Sequence, residues 1–222
     1  MVDKKNRSDA VVVIGLGRFG GALAAELVSR DVEVLGVDND PKNVQYFSGR
    51  LTHVVCADST DPDALRQLGV EEFGRAVVGI GTDIESSILT TSILTDLGVA
   101  DIWAKSISLQ HSRILQRVGA HRVVQPEHDM GERVAHLVMG RMLDYLEVDE
   151  GYALIKTMAP GWADGKSLAR LGIRSEYGVT VVGIKKPGGG FTYATSETVV
   201  QSGDILLVAG DTDKTERFAE ET

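Results

Sequence analysis

The sequence predicts an α/β protein with a doubly wound parallel sheet in its N-terminal part and a small β-rich α+β lobe after it. Three observations carry this expectation. Short β-branched runs alternate with helical patterns at roughly 25-residue spacing, the signature of strands joined by crossover helices. The first run ends in a glycine-rich turn, Gly15-Leu-Gly17-Arg-Phe-Gly20. Beyond residue 147 the character changes, and short strand patterns are separated by Pro160-Gly161, Pro187-Gly-Gly-Gly190 and Ser202-Gly203 turns.

The elements follow in order. Residues 10–14 (AVVVI) are short, β-branched and closed by glycine, which suits a central parallel strand buried on both faces. A helical pattern runs through Phe19, Leu23, Leu27 and Val28. Residues 32–37 form the next strand, ending at Asp38, and Pro41 sits where a helix opens. The alternation continues with strand 53–56, helix 61–68, strand 76–80, helix 84–97, strand 102–105, helix 109–118 and a short strand over 122–124. After Pro126 the pattern predicts a helix from 127 to about 145, with Val134, Leu137, Val138, Met142 and Leu143 on an apolar stripe. Strands are then expected over 152–158, 178–185, 191–194 and 204–209, the glycine run 188–190 being a hairpin tip. The implied domains are 1–145 and 146–222.

With 222 residues there is room for two apolar cores. Apolar residues at 43% and charged residues at 25% are ordinary for a folded, water-soluble chain. The longest apolar runs, 10–14 and 205–209, fall far short of the ~20 residues a membrane span needs. The charged start, residues 1–7, lacks a cleavage pattern, so the expected location is cytoplasmic. The single Cys56 excludes an internal disulfide and a cysteine-based zinc site, and is expected to be a buried small hydrophobe. A net charge of −9 argues against nucleic acid as a partner, because phosphate contacts demand a cationic face.

The glycine turn carries the chemistry. It follows the first strand, opens the first helix, and precedes by 18 residues Asp38, at the end of the second strand, where a carboxylate accepts hydrogen bonds from a ribose diol. This is the Rossmann-like dinucleotide fingerprint. Gly15 allows the sharp turn, Gly17 lets backbone N–H groups approach a pyrophosphate, and Gly20 lets the helix pack on the strand; the helix N-terminus then faces the phosphates. Leu16 and Phe19 belong to the same loop, and Asn39 follows the acid. A carboxylate at residue 38 would repel a 2′-phosphate, so NADP is disfavoured. Arg18 places a cation where the helix dipole disfavours one, which points to an anion nearby, with a solvated surface arginine as the plainer alternative. Asp58 and Ser59 follow the third strand, either beside the adenine end of a ligand or simply in a turn where Ser59, Thr60 or Asp61 caps the next helix. Ile80 and Gly81 close the fourth strand across the switch point, and Lys105 ends the fifth at the same edge, where a strand-end lysine is commonly just solvated.

A dehydrogenase of this fold needs a second domain with a general acid or base beside the nicotinamide. All five histidines lie between His53 and His136, none in the β-rich lobe, and His111, His121, His128 and His136 show no metal-ligand spacing, so they are expected to be structural or solvated. No Gly-x-x-x-x-Gly-Lys-Ser/Thr loop supports phosphate hydrolysis. Three readings follow: a ligand-sensing regulator, a small NAD-dependent oxidoreductase, or a DNA-binding redox sensor. The first needs no catalytic apparatus. The second lacks its acid or base, and the third lacks a DNA-reading helix and a basic face.

The motifs Gly15-Leu-Gly-Arg-Phe-Gly20, Val37-Asp38, Ala57-Asp-Ser-Thr60, Ile102-Trp-Ala-Lys105, Arg117-Val-Gly-Ala120 and Pro126-Glu-His-Asp-Met-Gly131 resemble the regulator-of-potassium-conductance domains, most closely those of the soluble subunits of Ktr/Trk potassium uptake systems. The resemblance covers the whole chain. It implies a non-enzymatic homodimer assembled into an octameric ring, peripheral on the inner face of the plasma membrane and gating a membrane potassium channel or transporter subunit. It also implies ATP or ADP, in some members NAD, in the N-lobe. The arginine matching Arg18 then reaches the terminal phosphates, while the glutamate matching Glu127 approaches a neighbouring subunit's nucleotide and helps hold a cation such as Mg²⁺ or Ca²⁺. Without the resemblance, Glu127 after Pro126 reads equally as a helix-capping acid. Related C-lobes in some bacteria bind cyclic di-AMP between two copies, and Ile173, Arg174, Ile184 and Pro187 fall in the corresponding region here.

Overall fold

β1 (Val11–Ile14) is the spine of the first sheet, buried at all four positions because it is flanked by strands on both sides and helices on both faces. A computed structural model describes residues 9–139 and 142–221; the charged start, residues 1–7, lies outside them. The chain divides into two compact units, Met1–His128 and Asp129–Thr222.

In the first unit β1 is followed by α1 (Arg18–Ser29), β2 (Val34–Asp38), α2 (Pro41–Phe47), β3 (His53–Cys56), α3 (Pro62–Gln67), β4 (Arg75–Val78), α4 (Ile84–Asp96), β5 (Asp101–Lys105), α5 (Leu109–Arg117) and β6 (Arg122–Val124). The six strands are parallel and ordered β3-β2-β1-β4-β5-β6. The chain winds outward from β1 to β3, returns to β4, and winds the other way. The switch point therefore lies between β1 and β4, where an open α/β sheet forms its ligand crevice. Alternate residues of β1 feed opposite cores: Val12 and Ile14 pack with Val37, Leu65, Val78, Leu94, Ile102 and Leu115, whereas Val11 and Val13 pack with Leu16, Ala24, Val34, Phe47 and Val77. This is the doubly wound, Rossmann-like fold expected from the sequence.

α6 (Pro126–Val138) leads into the second unit, where β7 (Asp144–Asp149), β8 (Tyr152–Met158), α7 (Leu168–Leu171), α8 (Ile173–Tyr177), β9 (Thr180–Lys185), β10 (Phe191–Tyr193), β11 (Ile205–Asp211) and α9 (Thr212–Ala219) follow. The strands form an antiparallel sheet ordered β10-β9-β11-β8-β7. Ala153 and Ile155 of β8, and Leu206 and Val208 of β11, turn the same face toward a core closed by Tyr177 and Phe218. The β9–β10 hairpin turns at the glycine tip, as its sequence predicts.

Four departures from the sequence expectation have physical causes. The helix after Pro126 ends at Val138 rather than near 145, and residues 144–149 are a strand. Apolar residues at 142, 143, 145, 146 and 148 fit either period, and pairing with β8 decides, setting Tyr145 opposite Ile155 and into the core. Second, the predicted stripe is split: Leu137 packs against the second unit's core and Met142 is buried in it, whereas Val134 and, at 78%, Val138 are exposed. Third, α7, α8 and α9 lie where no helix was expected; α7 and α8 are too short to show a period. Fourth, Cys56 is exposed, not buried, because it ends the edge strand β3; its thiol lies 3.7 Å from the Asn39 carbonyl oxygen.

Candidate functional site

The carboxyl ends of β1, β2 and β4 frame a cleft of about 300 Å³ at the switch point. Its wall includes eight of the residues singled out in the sequence: Gly15, Gly17, Asp38, Asn39, Asp58, Ser59, Ile80 and Gly81. Gly15 has φ +87°, a left-handed conformation that glycine adopts without strain. At Gly20 a Cβ would run into the Gly15 carbonyl oxygen, so only glycine lets α1 start this close to β1. A Cβ on Gly17 would meet nothing within 4 Å, so no protein atom demands glycine there, and the loop backbone stays open to the cleft.

Helix caps separate α1 from its neighbours. Asp40, Asp61, Asp83 and Ser108 cap α2, α3, α4 and α5 through their side chains, whereas α1 begins at Gly17 with no side-chain cap and no acid in its first turn. The first N–H groups of this 12-residue helix are thus left for an anion, and Arg18 stands exposed among them.

Asp38 is only 8% exposed and accepts from the Leu16 N–H at 2.6 Å, the Asp40 N–H at 2.8 Å and the Asn43 side-chain amide at 3.1 Å. A carboxylate offers about four acceptor directions, so one remains, on Oδ1, for a ribose hydroxyl. Leu16 is itself buried in the core and contributes this backbone donor. Of the other acids in the wall, Asp40 and Asp83 are occupied as caps. Asp58 accepts from both the Thr60 hydroxyl and the Thr60 N–H, and these bonds hold its carboxyl below the usual range. The cap of α3 is Asp61, which leaves Asp58 as a turn residue, while Ser59 turns its hydroxyl to Thr90 at 2.9 Å. Asn43, Thr82, Asp83 and Ser86 also line the cleft. Sequence reasoning passed over Asn43; its place one turn into α2, five residues after Asp38, was the available signal.

The remaining sequence-selected residues form a second group beside the cleft. Lys105, 8% exposed, donates to Glu127 Oε1 at 2.6 Å, and its ammonium lies 5.9 Å from the Phe19 ring centroid. The hydrogen bond from Lys105 lowers the Glu127 pKa, helped by the charges of Lys105 and Arg18. Among the described residues no three His, Cys, Asp or Glu side chains converge as a metal site. No helix of the described residues is long and apolar enough to cross a membrane. His121 accepts from the Ile102 N–H and His136 stacks on Tyr145, as structural histidines do.

In the second unit a cavity of about 670 Å³ is lined by Ile173, Arg174, Thr180 and Ser196 among others. Arg174 donates twice to the Thr180 hydroxyl. Ile184 lies instead in the lobe's core, and Pro187 is outside the cavity wall.

A switch-point cleft with an uncapped helix start, in a parallel α/β lobe that an antiparallel lobe follows in the chain, defines a two-lobed Rossmann-type protein. Residues 11–126 match the TrkA-N domain and residues 153–222 the TrkA-C domain, and the chain belongs to this family. It is 39% identical to Ktr system potassium uptake protein C of Bacillus subtilis (strain 168), over 93% of this chain and 94% of that one. It is 34% identical to Ktr system potassium uptake protein A of the same organism, over 98% and 97%. Among solved structures, the GsuK RCK domain superposes with a TM-score of 0.65 at 20% identity, covering 96% of this chain and 47% of that one. The GsuK channel bound to NAD gives 0.63 at 19% identity, over 92% and 38%.

Proposed function

We propose that the protein is a nucleotide-sensing, non-enzymatic subunit that regulates a membrane potassium channel or transporter, with ATP or ADP as its ligand and NAD as a further adenine dinucleotide the cleft would accept. The uncapped start of α1, opposite the buried Asp38 carboxylate, carries this reading: it offers free N–H donors to a pyrophosphate at one place and an acceptor to a ribose at another. The names of the two Bacillus relatives, which extend over nearly the full chain, support the transport role.

Regulation follows from differential binding. Two ligands that contact two arrangements of subunits unequally shift the population between them, and no bond need break. A triphosphate brings charge near Arg18 and Glu127 that a diphosphate lacks. Glu127 is a carboxylate beside the Lys105 and Arg18 charges, and Mg²⁺ or Ca²⁺ held by it would take its other ligands from phosphate oxygens, water or a second subunit. The exposed apolar residues Met130, Val134 and Val138 of α6, with Met139 just after it, support self-association into the dimers and octameric ring of the family. Assembled beneath a membrane partner, such a ring sits on the cytoplasmic face. In the second lobe, a cyclic di-AMP, if this member takes one, would have the cavity beside Ile173 and Arg174 to enter.

Calorimetric titration tests the phosphate role. The parent binds ATP and ADP with different affinities, and Arg18→Ala narrows that difference by about tenfold. Equal ATP and ADP affinities in Arg18→Ala and the parent would contradict it.

A further inference from the structure

The Lys105 ammonium occupies an unusual position. It is buried at the carboxyl end of β5, and a Cβ on Gly81, a cleft residue, would stand 3.0 Å from its Nζ. The ammonium is therefore next to the cleft wall, on the side of Phe19 and the first turn of α1. Its ion-pair partner is much the more exposed: the Lys105 side chain is 11% exposed and that of Glu127 61%. An ammonium has three donors, and Glu127 Oε1 takes one at 2.6 Å.

From this geometry, and resting on the reading of the cleft as an adenine-nucleotide site, we infer that Lys105 distinguishes a triphosphate from a diphosphate by exchanging partners, leaving the Glu127 carboxylate for the terminal phosphate. A pair whose carboxylate is more than half exposed opens at little cost, because water rehydrates the released acid. A terminal phosphate competes well, with more negative charge and three acceptor oxygens. Gly81 leaves the lane clear, since any Cβ there would crowd the ammonium. Released Glu127 is then available at the start of α6, so the exchange converts the presence of one phosphate into a free carboxylate on the helix that leads to the second lobe. Linkage makes the effect reciprocal: whatever holds Glu127 on Lys105 weakens ATP, and ATP weakens that hold.

The test is calorimetric titration of the full chain with ATP and with ADP, in chelator so that no divalent cation bridges phosphate to Glu127. Glu127→Gln, at an exposed position, frees Lys105 and is expected to raise ATP affinity about threefold to tenfold while ADP changes less than about twofold. Lys105→Gln is expected to weaken ATP about tenfold relative to ADP and to cancel the gain from Glu127→Gln in the double variant; Lys105→Arg retains most of the ATP preference. Melting curves without nucleotide check that each variant is folded. An unchanged ATP-to-ADP ratio in Glu127→Gln, or equal loss of ATP and ADP in Lys105→Gln, overturns the exchange while leaving the nucleotide site intact. Failure of the parent to bind either nucleotide overturns both.

Discussion

Asp38 concentrates what a single residue does in this protein. Its carboxylate fastens the glycine loop through Leu16, the start of α2 through Asp40 and Asn43, and still keeps an acceptor for a ribose hydroxyl. Asp38→Ala therefore acts twice: adenylate affinity falls at least about tenfold, and stability falls by about 1–3 kcal/mol because the buried Leu16 N–H and the partly buried Asp40 N–H lose their acceptor. Calorimetry and denaturant unfolding read the two losses separately. His111 gives a pH dependence. Both its ring nitrogens are buried without a hydrogen-bond partner among the described residues, and burial pushes its pKa below the ordinary value. The unfolded chain binds a proton near pH 6.5 and the native imidazole resists it, so stability is full above that pH and declines as pH falls below it. Melting midpoints between pH 8 and pH 5 will show this decline, and His111→Leu will flatten it. At this scale the glycines and Asp38 were legible because their chemistry is local. The exposure of Cys56 and the bond from Asn43 to Asp38 were not, since they depend on which strand is an edge and where α2 lies.

Among the elements, the parallel strands declared themselves through continuous β-branched runs, and their helices through spacing and caps. The second lobe was harder to read because its strands and short helices are settled by pairing rather than by period. β7 carries an apolar pattern that also fits the end of α6, and only its ladder with β8 makes it a strand. α9 illustrates packing that no motif announces: Phe218 is fully buried and meets Tyr177 edge-on at 5.3 Å. Phe218→Ala is expected to cost roughly 3–5 kcal/mol, by loss of burial and the cavity left behind, read as a lowered unfolding midpoint. A loss below about 1 kcal/mol would mean that α9 is not part of the lobe's core.

At the scale of the whole molecule, the proposed function joins the switch-point cleft in one lobe to association between subunits. α6 would link the two, since Glu127 near its start pairs with Lys105 and its exposed apolar residues continue to Val138. Val134→Asp with Val138→Asp, both on exposed positions, should leave the subunit folded by circular dichroism and yield smaller species in sedimentation. The glycine fingerprint was legible in the sequence, whereas which residues of the apolar stripe stay exposed depends on packing that no local pattern announces. Small-angle scattering of the assembled protein with ATP and with ADP tests the central claim most directly. Two distinct profiles are expected, from assemblies of equal mass, with each nucleotide recovered unchanged. Identical profiles with the two ligands, or a monomer under both, would contradict it.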